Sequence, residues 1–403
     1  AGSGMTALIN KLQRMLGLKL HKNVPPEEKP VVFITHMEHH SNQVSWQECN
    51  VTLEIIPEQN NGLPDLDALE TLLEQYSERP LKIGSFTACS NVTGLITPYH
   101  DMAKIMHLAG GYCFVDFAAS APYVDINMHP IEDPLCSLDA IFISPHKFLG
   151  GPGSSGVVVF NKALYRCITP DSPGGGTVLW TNPWGGRKYY ENIETREDGG
   201  TPAFLQTIKA ALAIKLKEAM STEKIAMREN SITSYMYSEL GKNSKVIVFE
   251  PKQRNRLPIL SFHIPGLHHN LVVKILNDKY GIQARGGCSC AGTYGHKLFN
   301  IDKQTSHNIT NQIEQGAALA KPGWIRISFH PINTDSEIKQ TIDAINQISE
   351  HGSQWQTQYE LNAQTAEFSL HNEPLFIFSL NKFVPVQSLV SRIKSKFTYM
   401  LRV

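Results

Sequence analysis

The sequence has no surplus of charge of either sign: lysine plus arginine and aspartate plus glutamate each number 37. A chain whose main partner is a nucleic-acid backbone needs a basic excess to displace counterions, so nucleic acid is excluded as the principal ligand. No stretch approaches the roughly 18 to 20 uninterrupted apolar residues of a membrane span, so no membrane helix is expected. Cysteine is sparse and odd in number, seven in 403 residues. That excludes a secreted disulfide framework and fits reduced thiols in a cytoplasmic compartment. A signal-peptide pattern is also lacking. Nor is there an opening methionine: the chain starts on the glycine-rich turn Ala1-Gly2-Ser3-Gly4, and a segment ahead of it is expected.

What is present is a sequence long enough for two or three domains at roughly 150 residues each. Residues 7–18 carry Leu8, Ile9, Leu12, Met15 and Leu16 at helical spacing, so the glycine turn feeds directly into a helix. Short apolar runs rich in β-branched and aromatic residues follow at 31–34, 53–56, 82–86, 112–115, 140–143 and 156–160, with helical patterns at 66–76 and 100–109 between them. Alternation of this kind predicts an α/β fold with a mostly parallel sheet covered on both faces. Residues 170–201 are rich in glycine, proline and tryptophan and read as a long loop, followed by one long helix over 207–227. Strands near 246–249, 257–263 and 324–329 indicate a second unit. The expected organisation is a large domain over 1–229, a smaller α+β domain over 230–350 and an extension over 351–403. In that extension a polar linker leads to apolar runs at 375–380 and 383–386, and then to a basic amphipathic ending with Leu389, Ile393 and Phe397 on one face.

The segment Ser144-Pro145-His146-Lys147 places a lysine just past a predicted strand, and Val115-Asp116 places a carboxylate at the end of another. Ligands of open α/β sheets bind beyond the carboxyl ends of the strands. Taken singly, Asp116 could cap a helix and Lys147 could be a solvated surface residue. Together with an anion site at the glycine turn they match the needs of pyridoxal phosphate, which takes a lysine for its aldehyde, an acid for its pyridine nitrogen and helix N-terminal N–H groups for its phosphate.

At this point the sequence resembles fold-type I pyridoxal-phosphate enzymes of the class-V aminotransferase-like family, in particular the cysteine desulfurase and selenocysteine lyase group. The residues that carry the resemblance are Gly4-Met5-Thr6, Met37-Glu38-His39-His40-Ser41-Asn42, Ser90-Asn91-Val92-Thr93-Gly94, Val115-Asp116, Ser144-Pro145-His146-Lys147, Gly200-Thr201-Pro202, Arg285-Gly286-Gly287-Cys288-Ser289-Cys290 and Arg326. The resemblance implies that Lys147 holds the cofactor and moves the substrate α-proton, Asp116 serves the pyridine nitrogen, and His39 stacks on the ring. It further implies that Met5, Thr6, Ser144 and His146 bind the phosphate, and that Thr201 reaches the phosphate of a partner subunit in a homodimer. Asn91 would contact cofactor or substrate, with Arg326 and Arg285 receiving the amino-acid carboxylate. Cys290 would take sulfur or selenium from the substrate and leave alanine, with a sulfur-acceptor protein as a further partner.

Other readings stand beside these. Arg326, central in an apolar run, could pair internally with an acid. Cys288 could relay sulfur, form a redox pair or fill space. A metal site from Cys288, Cys290 and His296 has poor spacing for zinc, and no metal is expected. The sequence departs from the group at Ala119, where many desulfurases carry glutamine, and at Ala7. The rival functions are a class-V aminotransferase or β-lyase without a catalytic cysteine, and a non-catalytic scaffold, which the presence of Lys147 opposes.

Overall fold

Each strand of the large sheet is nearly continuous in apolar residues because both of its faces are covered. In β1 (Val31–Thr35) all five residues are buried: Val31 and Phe33 join one core layer while Val32 and Ile34 join the other. This is the period-two alternation of a strand sandwiched between helices. The computed structural model describes residues 2–19 and 24–371, so the expected apolar runs at 375–380 and 383–386 and the basic helix around Leu389, Ile393 and Phe397 lie outside the described residues.

In chain order, α1 (Met5–Met15) precedes β1 and is followed by α2 (His40–Gln47), β2 (Thr52–Ile56), α3 (Leu66–Gln75), β3 (Lys82–Thr87), α4 (Tyr99–Leu108), β4 (Tyr112–Asp116), β5 (Ala140–Ile143) and β6 (Val157–Phe160). The six strands form one sheet in the order β2-β1-β3-β4-β5-β6. All neighbours are parallel except β5 and β6. The carboxyl ends of β1, β3, β4 and β5 therefore open on one edge. Leu8, Ile9 and Leu12 of α1 and Trp46 of α2 pack on one face of the sheet, and Leu69, Met102 and Met106 of α3 and α4 on the other. Burying each such side chain contributes about 1.5–3 kcal/mol.

The stretch 170–201 is not all loop. It forms the hairpin β7 (Val178–Thr181) and β8 (Arg187–Tyr189) and the short helix α5 (Ile193–Glu197). The single helix expected over 207–227 is two helices, α6 (Phe204–Met220) and α7 (Thr222–Leu240), broken at Ser221, where φ is +65°. The Ser221 side chain caps the start of α7 by accepting the Lys224 N–H.

The smaller sheet has the order β11-β12-β10-β9, from β9 (Ile247–Val248), β10 (Ile259–His263), β11 (Arg285–Gly287) and β12 (Trp324–Ser328), all antiparallel. Between its strands lie α8 (His269–Tyr280), α9 (Gly292–Leu298) and α10 (Lys303–Glu314), and after them α11 (Asp335–Gln356) and the hairpin β13 (Tyr359–Asn362) and β14 (Glu367–Leu370). The boundaries expected at 229/230 and 350/351 both fall inside helices, α7 and α11. The described residues beyond 350 are the end of α11 and a hairpin whose Phe368 and Leu370 pack on the small-unit core, where a polar linker was expected. A capping box at Thr334 and Glu337 fixes the start of α11. Among the described residues no helix is long and apolar enough to cross a membrane.

Candidate active site

Asp116 is the last residue of β4, and Lys147 closes a short turn, Pro145–Lys147, just after β5, its parallel neighbour. Asp116 is 5% exposed and its Oδ1 accepts the Ala118 N–H at 2.8 Å. It caps no helix. Burial pushes its carboxyl up, with the Lys147 charge opposing. The Lys147 side chain is exposed to the cleft, yet the protein walls around it push its amine down, while Asp116 pulls the other way and Arg326 adds to the lowering. An amine depressed in this way is closer to the neutral form that a nucleophile or base requires.

Beside Lys147, the amino-terminal turn is pinned to the sheet through Gly2, whose N–H donates to the Gly156 carbonyl at 3.2 Å. Gly4 has φ +87°, and a Cβ there would lie 2.8 Å from a ring carbon of His146, so glycine alone suits both the backbone and the space. The first turn of α1 has no side-chain cap. Its Met5 N–H donates to Ser144 Oγ at 3.1 Å, and Thr6 Oγ1 lies 2.6 Å from Ser41 Oγ. An uncapped helix start framed by Thr6, Ser144 and His146 is an anion site. Ser41 N–H in turn donates to His39 Nδ1 at 3.0 Å, which leaves the neutral ring's proton on Nε2. Burial and then the Lys147 charge lower His39 to about 4, so the imidazole is neutral at physiological pH.

The opposite wall comes from the smaller sheet. Antiparallel pairing of β11 and β12 sets Arg285 directly across from Arg326. Arg326 Nη1 donates to the Asn91 carbonyl at 2.9 Å, while its buried Nε has no partner. Among the described residues no acid pairs with it, so the internal ion pair considered above is absent. Burial and the Arg285 charge lower its guanidinium. Asn91 Nδ2 donates to the Ser289 carbonyl at 2.7 Å, and its buried Oδ1 has no partner. Arg285 Nη2 donates to Cys290 Sγ at 3.2 Å. Ser289 and Cys290 have φ +49° and +59°, a left-handed conformation unusual for residues other than glycine. His40 clamps this loop to the start of α2: its N–H donates to the Cys290 carbonyl at 2.8 Å, and its Nε2 accepts the Gly292 N–H at 2.9 Å. Among the described residues no group of three or more His, Cys, Asp and Glu is placed to hold a metal ion.

The structure thus brings Met5, Thr6, His39, Asn91, Asp116, Ser144, His146, Lys147, Arg285, Cys290 and Arg326 to one cleft edge. Thr201 stands outside that group. It is exposed on a cleft of about 560 Å³ that it shares with Ser3 of the glycine turn and His146. Two residues with no assigned role prove central. Glu38 is buried beneath the site, accepting from Thr35 Oγ1 at 2.7 Å, Thr87 N–H at 2.8 Å and Asn42 Nδ2 at 2.8 Å. Burial, with a smaller contribution from Asp116, raises it to about 7. Ser41 joins Thr6 to His39. Both stand in the run 37–42, whose abrupt polarity after the buried β1 was the available signal.

The residues suit pyridoxal phosphate. A lysine amine and a buried carboxylate lie on adjacent strand ends, the uncapped helix start offers an anion site, and Asn91 Oδ1, Ser120 Oγ and Arg326 Nε are buried without partners. Buried polar atoms left unpaired mark places where a ligand is due. Ser120 follows Ala119, the position where the sequence departs from the desulfurase pattern.

Residues 6–341 match the family model for class-V aminotransferases. The chain belongs to that family. Among curated relatives of this class-V chain, a probable cysteine desulfurase of Halobacterium salinarum is 27% identical over 325 residues, covering 78% of this chain and 69% of the relative. One of Halalkalibacterium halodurans is 29% identical over 268 residues, covering 64% and 61%, so the match spans less than two thirds of that protein. Among solved structures, the apo cysteine desulfurase of Thermococcus onnurineus superposes with a TM-score of 0.70 at 24% identity, covering 87% of this chain and 78% of the other. The class-V, fold-type I architecture, a mostly parallel sheet with a smaller α+β unit, is that of these neighbours.

Proposed function

We propose that this class-V protein is a pyridoxal-phosphate-dependent cysteine desulfurase or selenocysteine lyase, which converts L-cysteine or L-selenocysteine to L-alanine and retains the sulfur or selenium on Cys290. The observation that carries the reading is the Cys290 thiol, held by Arg285 at 3.2 Å in the charged neighbourhood of Lys147 and Arg326. When bound, the cofactor supplies an electron sink for charge developing on the substrate carbon. Met5, Thr6, Ser144 and His146 would hold its phosphate, Asp116 its ring nitrogen and Lys147 its aldehyde carbon. Arg326 and Arg285 together would fix the substrate carboxylate, a geometry suited to a forked guanidinium. Lys147 would carry the α-proton, and His39, neutral with its proton on Nε2, would face the ring and assist that transfer. Cys290 sulfur attacks the substrate sulfur. The S–S bond forms as the C–S bond breaks, the electron pair left on carbon takes a proton, and alanine departs from an enzyme persulfide.

The test is alanine formation by the full chain supplied with pyridoxal phosphate. Alanine from either substrate is expected, and the rate ratio names the preferred one. Visible absorption of lysine-bound cofactor without alanine would discard the reading in favour of transamination or β-elimination on another amino acid.

The site is proposed to be shared in a homodimer. Phe204, Ile208, Leu212 and Leu216 recur every four residues on α6 and are 62%, 55%, 61% and 40% exposed. A stripe of this kind needs a cover, and it begins just after Thr201, the residue expected to reach the partner's phosphate. Replacing Ile208 and Leu212 together with aspartate should halve the mass measured by sedimentation and remove activity. A monomeric wild type at micromolar concentration would overturn the dimer. A cytoplasmic setting rests on the scattered, odd-numbered cysteines.

A further inference from the structure

Behind the cysteine loop lies a second cavity, of about 540 Å³, a volume suited to a small molecule. Cys288 and Cys290 both line it, with His268, His269, Phe299 and Trp324, whereas Lys147, His39, Asp116, Asn91 and Arg326 do not. Arg285 and Cys290 belong to both this cavity and the substrate site, so the cysteine loop stands between the two. It is also immobilised. Three successive carbonyls are all engaged: Cys288 by the Ala291 N–H at 3.0 Å, Ser289 by Asn91 Nδ2 at 2.7 Å and Cys290 by the His40 N–H at 2.8 Å. A sulfur loaded on Cys290 therefore sits on a backbone held at three points, in the same turn as Cys288. Cys288 is the exposed thiol at the first position of the same tight turn, two residues away.

We infer that Cys288 is a second sulfur carrier, taking the sulfane sulfur from Cys290 and presenting it in this cavity to an external small-molecule thiol. The inference rests on the desulfurase reading. In the step, the Cys288 thiolate attacks the outer sulfur of the Cys290 persulfide. A new S–S bond forms at Cys288, the Cys290 S–S bond breaks, and Cys290 leaves as thiolate, with no net oxidation. The external thiolate then repeats the exchange on the Cys288 persulfide, leaving with the sulfur as its own persulfide. His269 lines the same cavity as Cys288 and lies against Gly286 and Gly323, and its ring centroid stands 4.1 Å from that of His268. Burial keeps this imidazole neutral, so the cavity wall beside the cysteines carries no charge there.

The experiment uses the cofactor-loaded full chain with L-cysteine, first without acceptor and then with dithiothreitol. Thiols and persulfides are trapped by alkylation and located by fragment-ion mass spectrometry. In the wild type the extra sulfur is expected on both Cys288 and Cys290. In Cys288→Ser it should sit on Cys290 alone after one alanine per site, with turnover in dithiothreitol slowed at least tenfold. Sulfur confined to Cys290 in the wild type, with Cys288→Ser turning over at the wild-type rate, overturns the relay and leaves the desulfurase reading intact. So does a Cys288–Cys290 disulfide formed with release of hydrogen sulfide, which is attack on the wrong sulfur. Absence of alanine from the wild type overturns the desulfurase reading itself, and the relay with it.

Discussion

Replacing Cys290 with alanine is expected to lower alanine formation from L-cysteine at least about a thousandfold, since loss of a catalytic nucleophile removes the reaction's bond-forming partner. The visible absorption of lysine-bound cofactor should survive, because Lys147, Asp116 and the phosphate turn lie on the large sheet and owe nothing to the Cys290 side chain. The loop should also keep its shape. What clamps it are backbone carbonyls held by Asn91 Nδ2 and the His40 N–H, and alanine carries the same backbone groups. The measurement is the single-turnover rate of alanine release alongside the absorption spectrum. A variant within tenfold of wild type would remove Cys290 from the chemistry and return the protein to the aminotransferase and β-lyase readings.

The second large effect is expected at Arg326. This guanidinium is half-buried, faces Arg285 in register and has no acid partner among the described residues. An unpaired, partly buried cation beside another cation costs stability, and cations so placed are retained for a ligand rather than for the fold. Arg326→Leu should raise KM for L-cysteine about a hundredfold or more, as loss of a charge-assisted, two-point hold on a carboxylate implies. The cofactor-free variant should melt no lower than wild type, since water in the open cleft can replace the one hydrogen bond lost at the Asn91 carbonyl. Calorimetry and steady-state kinetics together decide it. A melting temperature several degrees lower with an unchanged KM would make Arg326 a structural residue.

Glu38 shows how a site can stand in plain sight of the sequence and still be unreadable. The run Met37-Glu38-His39-His40-Ser41-Asn42 is conspicuous for its polarity after β1. Nothing in its spacing says that the Glu38 carboxylate turns inward to tie Thr35, Thr87 and Asn42 together while His39 turns toward Lys147. Ser221 is the same lesson in the backbone: helix-forming residues continue on both sides of it, but a positive φ ends α6 there and its side chain caps α7 by accepting the Lys224 N–H. At Thr201 the sequence yields only a candidate. The residue shares a cleft with His146 at the edge of the cluster, and its expected role needs a second chain.

By itself the sequence determined the alternating strands and helices of the large unit, the presence of a second unit with strands of its own, and the placing of Asp116 and Lys147 at strand ends. Those features are local: a hydrophobic period and a polar residue at the end of an apolar run follow from near neighbours in the chain. Only the tertiary structure decided the rest. Asn91 meets Ser289 across 198 residues, Gly292 meets His40 across 252 and Met5 meets Ser144 across 139, and β11 pairing with β12 sets two arginines face to face. Contacts so distant in sequence leave no period to read. They arise when elements far apart in the chain pack together, and that packing builds the walls of the cleft and of the cavity behind Cys288.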